Sequence, residues 1–253
     1  MAASQEQEDA AEIVERSVET LKRDWAAEPR YDCSERDSDK NGIRTFDDLM
    51  LYGSQYQKLT AINDKPLDDR QQAEQQTKLE KATAERRGES KSQRRHRIAK
   101  YQAERKHATD LILELTKAFT FNVAGTDKIR DRDVYILSAE PRKGYRPTSM
   151  STRVLAGMRG KLWIDRSSYQ WVKVDVEVFH PVSIGGFLAR VEPGTRFEFE
   201  QQPVSGDIWL PSRFMVKTRT KVAFMFHRQS DEEYTYSNYR ATPTSVASDE
   251  SSN

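Results

Sequence analysis

The chain has 253 residues, with 41 Lys and Arg against 40 Asp and Glu, a formal net charge of +1 and charged residues at 32%. That length builds one large β-rich domain or two small ones, and a near-neutral total points to no acidic or basic partner unless the charge is locally unbalanced. The single cysteine, Cys33, excludes an intrachain disulfide and a thiolate metal cluster, and no run of 18 apolar residues offers a membrane-spanning helix.

A mean hydropathy of −0.86 requires some strongly solvated segment. The N-terminus, MAASQEQEDAAE, lacks the basic stretch and apolar core of a signal peptide. It suits a mature domain whose leader has been removed, and it suits an intracellular protein equally. Residues 9–25 then read as a helix, because Ala10, Ile13, Val14, Ser17, Val18 and Leu21 recur at three and four. Asp9 caps its start and Pro29 prevents continuation. The apolar face is narrow, so the helix is expected to lie on a sheet.

From Tyr31 the period changes to two. Tyr31, Cys33 and Glu35 alternate with Asp32 and Ser34, Asp39-Lys40-Asn41-Gly42 is a hairpin-type turn, and two further strands flank Gly53. Asn63-Asp64-Lys65-Pro66 is a turn expected to open the next helix, with Asn63 or Asp64 near the cap.

Residues 67–117 form a helical insertion rich in Gln, Glu, Lys, Arg and Ala. Gly88 and the Ser90-x-x-Gln93 capping pattern divide it into two helices. The second carries a stripe of Ile98, Tyr101, Ala108, Ile112 and Leu115, with Arg105 in the gap. Between 86 and 106, Arg86, Arg87, Lys91, Arg94, Arg95, Arg97, Lys100, Arg105 and Lys106 face only Glu89 and Glu104. Such a run is usually a solvated face. It could also meet a protein partner or anionic lipid headgroups. With one aromatic, Tyr101, it does not support base stacking, and no nucleic-acid partner is expected.

Strands resume at Phe119, Phe121 and Val123, with Ala124-Gly125 as a turn, and 133–140 form a strand that stops at Pro141. Gly157 to Phe179 carry the strongest strand signal. Leu162 and Ile164 alternate with polar neighbours, and Val172, Val174, Val176 and Val178 line one side of the second strand, across a loop of four or five residues after Asp165. The stretch 180–194 is an apolar loop broken by Pro181, Gly185, Gly186 and Pro193, either a buried connection or a lip hinged at the glycines. Phe197 and Phe199 begin another strand. A long strand is expected over 213–228, with Val216, Thr218, Thr220, Val222, Phe224 and Phe226 on one face, and a last one over 233–240. Residues 241–253 have the composition of a disordered tail.

These elements predict an α+β fold: an antiparallel sheet with one wet and one oily face, which must curl into a barrel-like shape and be filled by helices, side chains or a ligand. One domain is expected over 1–240.

Little in the chain reads as reaction chemistry. His96 and His107 lack a carboxylate at metal-binding spacing, so no metal or cofactor is expected. Asp175 with Glu177, and Glu198 with Glu200, are carboxylate pairs on strands that could serve glycoside hydrolysis, yet they sit where the wet face of any sheet carries charge. Gly185-Gly186 is not followed by a helix, and Ser183 and Ser205 have no nucleophile-elbow context.

The order of elements, together with Gly160-Lys161-Leu162-Trp163-Ile164-Asp165 at a hairpin and Trp209-Leu210-Pro211 entering a long strand, resembles the outer-membrane lipoprotein carrier superfamily, the LolA/LolB-like proteins related to lipoprotein sorting. The resemblance is best over 119–240 and extends to 9–62 in order only. It implies a curved antiparallel sheet forming an incomplete β-barrel, with the N-terminal helix and the charged helical insertion covering its concave face, whose hydrophobic cavity holds lipoprotein or lipid acyl chains in the periplasm, without cofactor or catalysis. Carriers of that family lack a charged insertion like 67–117, and no polar ligand contact of theirs maps onto a position here. The residues expected to face the cavity are Val172, Val174, Val176, Val178, Ile184, Phe187, Leu188, Val216, Val222 and Phe224. Against this stand an interaction scaffold that uses the helices of 67–117 and plugs the cavity with its own side chains, and an enzyme built on a carboxylate pair.

Overall fold

A computed structural model describes residues 9–149, 151–184, 189–222 and 226–243. It is an α+β protein. Helix α1 (Ala10–Ala27) precedes strands β1 (Tyr31–Asp39), β2 (Gly42–Leu51), β3 (Ser54–Ile62) and the two-residue β4 (Lys65–Pro66). Helices α2 (Asp69–Arg87) and α3 (Lys91–Ala118) follow, then β5 (Phe119–Ile129), β6 (Arg132–Pro141), β7 (Met158–Asp165), β8 (Trp171–Val178), β9 (Val182–Ile184), β10 (Ala189–Val191), β11 (Arg196–Ser205), β12 (Ile208–Val222) and β13 (Phe226–Ala241). The strands form one open antiparallel sheet in the order β4-β3-β2-β1-β13-β12-β11-β8-β7-β6-β5, with β9 and β10 attached beside β12. The two chain-terminal strands β1 and β13 meet at its centre, pairing Tyr31 with Ala241 and Glu35 with Tyr236.

Asp9 caps α1 as its sequence suggests, and Ile13, Val14 and Leu21 are buried on the sheet. The main core packs them against Leu137, Leu162, Ile164, Trp171, Val174, Val176 and Val178. Inside it, Ser17 Oγ accepts a 3.0 Å bond from the Trp171 indole, which satisfies a donor that would be costly to bury unpaired.

Three local expectations are corrected. Asn63 and Asp64 do not cap a helix; both have positive φ and form the tight turn between β3 and β4, a conformation that Asn and Asp tolerate. The cap of α2 is Asp68, in a reciprocal capping box with Gln71. Gly125 does not turn the chain: β5 continues through a bulge there, with φ +152°. Finally, the strand expected over 213–228 is two. β12 reaches Val222, which pairs back onto Phe226 of β13, so Phe226 and Arg228 belong to the next strand. The apolar sequence 222–226 has no Gly, Pro or Asn to announce a reversal.

Helix α3 begins with the capping box of Ser90 and Gln93 and ends against the core, where Ala118 is buried. Helix α2 buries no residue, as its scattered apolar positions imply. The insertion is clasped to the β2–β3 turn by arginine. Arg97 donates to Ser54 Oγ at 2.7 Å and Tyr52 O at 3.1 Å while paired with Glu89 at 2.6 Å, and Arg86 donates to the carbonyls of Leu51, Ser54 and Gln55. The turn can be approached this closely because Gly53 lacks a Cβ, which would lie 2.9 Å from Ile98 Cδ1.

Candidate functional site

Two cavities lie side by side on the helix-covered face. The first, of about 330 Å³, is apolar. Its walls come from Trp25 of α1, Leu115 of α3, Val154 and Leu155 of the 3-10 turn Ser151–Gly157, Met158, and the sheet residues Trp171, Val174, Val176, Phe197, Phe199, Phe214 and Pro211. Glu198 and Tyr236 complete it. The register explains the grouping. Val176 pairs with Phe197 and Val174 with Phe199, while Phe197 and Phe199 pair onward with Val216 and Phe214. Directly paired residues share a face, so these rows present one continuous apolar surface.

Of the ten residues expected here, Val174 and Val176 line the cavity and Val178 is buried in the main core beside it. Val216 is half-buried, in the same row as Phe197. Val172 departs from its neighbours. A register shift follows Trp163, so that Ile164 pairs with Trp171, and Val172 packs in a separate cluster with Val134 and Trp209. Trp171 takes the inward place the alternation assigned to Val172. Ile184 and Val222 lie in β9 and β12, but their side chains fall outside the described residues, as do Phe187, Leu188 and Phe224 and the side chains of Ala108 and Ile112.

The second cavity, of about 270 Å³, is polar and shares Pro211 and Tyr236 with the first. It is bounded by β1, β2, β3, β13 and α3. Glu35 and Asp48 lie on adjacent strands, 7% and 4% exposed. Glu35 accepts from Gln57 at 2.7 Å and from the Tyr236 hydroxyl at 3.1 Å. Burial, and then the neighbouring Asp48 carboxyl, push Glu35 up to about 8. Burial also raises Asp48, and burial together with Glu35 pushes Asp37 up to about 6. Cys33, raised by burial and by Asp48, is a thiol facing that carboxylate at 4.0 Å and not a thiolate. Tyr31, Tyr101 and Tyr239 add three rings.

This polar site was not singled out in the sequence. Its signal was there: Glu35 shares the strand phase of Tyr31 and Cys33, so a carboxylate stands where an inward residue belongs. Asp48 arrives through the local β1–β2 hairpin, whereas the contact with Tyr236 is long-range and left no local trace.

The carboxylate pairs weighed for catalysis are engaged elsewhere. Arg196 pairs with Asp175 and, at 3.1 Å, with Glu198; Arg159 holds Glu177 at 3.0 Å; and Arg213 bridges Glu198 at 2.8 Å, Glu233 at 2.6 Å and Glu200 at 3.8 Å. They form a cross-strand ladder of ion pairs. Among the described residues no group of three His, Cys, Asp or Glu could hold a metal ion.

No family model and no curated protein matches the sequence. Solved structures do. A domain named for outer membrane lipoprotein sorting, from Vibrio parahaemolyticus, is 13% identical over 92% of each chain with a TM-score of 0.36. A LolA superfamily protein from Nitrosomonas europaea is 12% identical, over 96% of this chain and 98% of its own, with a TM-score of 0.32. A DUF1329 family protein from Desulfovibrio piger is 11% identical, over 90% and 92%, also at 0.32.

Proposed function

We propose that this protein is a non-catalytic carrier that holds an acyl chain, of a lipoprotein or another lipid, in the apolar cavity between the helices and the sheet, and that it works in the periplasm. The observation that carries the reading is the cavity itself. Its walls are chiefly valine, leucine, phenylalanine, methionine and tryptophan side chains from four strands, two helices and a turn. Its volume falls within the roughly 300–1,000 Å³ typical of ligand pockets. An apolar cavity of this kind excludes water and favours an apolar guest. Burying about ten methylenes at ~0.8 kcal/mol each gives about 8 kcal/mol, a micromolar dissociation constant before ordering costs.

Organic extraction of the purified protein followed by mass spectrometry should release acyl species, and the emptied protein should take up a fluorescent fatty acid. Absence of both overturns the carrier reading.

One observation supports the scaffold as a second reading: α2 is a 19-residue helix that buries no side chain. Under that reading α2 serves a protein partner and the apolar cavity is closed by its own walls. Removing residues 69–87 alone would then abolish association with the partner while leaving the core under α1 folded, at the cost of the Arg86 hydrogen bonds to the β2–β3 turn. The whole of 67–117 is the wrong deletion, since Leu67 and Glu114 within it are buried.

A further inference from the structure

We propose that the polar cavity beneath α3 is a binding site for an organic ammonium group, caged by tyrosine rings and balanced by buried carboxylates. Four observations lead there. Tyr31 and Tyr101 from β1 and α3, and Tyr236 and Tyr239 from β13, line one cavity of about 270 Å³. Ring faces attract cations, and several converging rings are the arrangement that recognises alkylated ammonium.

The second observation is charge. Glu28, Glu35 and Asp48 line the cavity, and no Lys or Arg does. Glu28 is matched from outside the lining by Arg105 at 3.0 Å. Glu35 and Asp48 are left facing each other, and two adjacent buried carboxyls share a proton unless a cation joins them. Third, Asp48 is 4% exposed and its Oδ1 has no hydrogen-bond partner. A buried carboxylate oxygen without a donor is expensive. A guest that brings positive charge removes that cost.

The rings select the kind of cation. A small hydrated metal ion would need an oxygen-ligand shell, and no such cluster exists among the described residues. An ammonium carrying carbon substituents sheds water at less cost and fits against rings.

The fourth observation is position. The cavity shares Pro211 and Tyr236 with the apolar one, so one molecule could place an ammonium head here and an alkyl tail there. That extension rests on the carrier reading; the ammonium site itself does not.

Isothermal titration of the full chain separates the parts. Choline should bind at least about tenfold more tightly than 3,3-dimethyl-1-butanol, its uncharged isostere, and Asp48→Asn should abolish that preference. Should Asp48→Asn fail to fold, Tyr101→Leu, at the α3 wall, should weaken choline by about tenfold. Dodecyltrimethylammonium should bind more tightly than choline if the two cavities act together, and equally if the head alone is held. Laurate tests the apolar cavity separately, and its failure would leave the choline result standing. Equal affinity for choline and its neutral isostere, or no choline binding, overturns the proposal.

Discussion

The two halves of the sheet share one backbone design and carry opposite chemistry. Along a single row, Val174 of β8 pairs with Phe199, Phe199 with Phe214, Phe214 with Tyr234 and Tyr234 with Asp37. The row therefore passes from aliphatic through aromatic to carboxylate without leaving the helix-covered face. The neighbouring row passes from Val176 through Phe197 and Val216 to Glu232. The β5–β8 and β11 half is closed by α1 and buries its side chains in a dry core. The β1–β3 and β13 half is covered by α3, which Arg97 ties to the β2–β3 turn by hydrogen bonds while Ile98 packs against Gly53 of that turn. One half gains stability from burial; the other accepts buried charge and gains a recognition surface.

That contrast can be broken most strongly from the apolar side. Leu137 is fully buried among α1 and the β-face, so Leu137→Ala should destabilise by about 2–5 kcal/mol, read as a lower urea midpoint with an unchanged slope. On the polar side the expected handle is pH. Glu35, at about 8, keeps its proton in the folded protein between its ordinary value near 4.5 and 8, where the unfolded chain has lost it. The folded state then binds more protons, and stability falls as pH rises through that window. Asp37, at about 6, acts in the same direction over a narrower span. With about 1.4 kcal/mol per unit, the decline should be on the order of a few kcal/mol between pH 5 and 8, and Glu35→Gln should flatten it. A melting temperature that stays level or rises over this range would show that the carboxyls are not buried together.

Smaller effects refine the picture. Arg97, about one-fifth exposed and hydrogen-bonded to Ser54, Tyr52 and Glu89, should cost about 1–3 kcal/mol as Arg97→Ala, and hydrogen exchange should rise in α2 and the β2–β3 turn with α1 unaffected. Arg159→Ala removes a pair with Glu177 in which both partners are about half exposed. It should change stability by less than about 0.5 kcal/mol, which would mark the outer ladder as surface chemistry.

Period and capping were legible because they are local. The α1 stripe, the Ser90–Gln93 box and the Val174–Val178 alternation each declare a face within a few residues. The errors also have local causes. Val172 left the common face because of a one-residue register shift against β7, and period-two reading inverts at any such step. The reversal after Val222 was hidden by an apolar sequence with no turn residue.

The amino-acid sequence by itself determined the α+β class, the sheet with one oily face, the two-helix insertion and the valine and phenylalanine rows, since side-chain periodicity is written into consecutive residues. Tertiary structure alone decided that β1 closes onto β13, some two hundred residues away, and so brought Tyr236 to the Glu35 and Asp48 of the β1–β2 hairpin. A strand carries its pattern but not the identity of its neighbour. The polar cavity is made of neighbours, and its chemistry exists only once the ends of the chain have met.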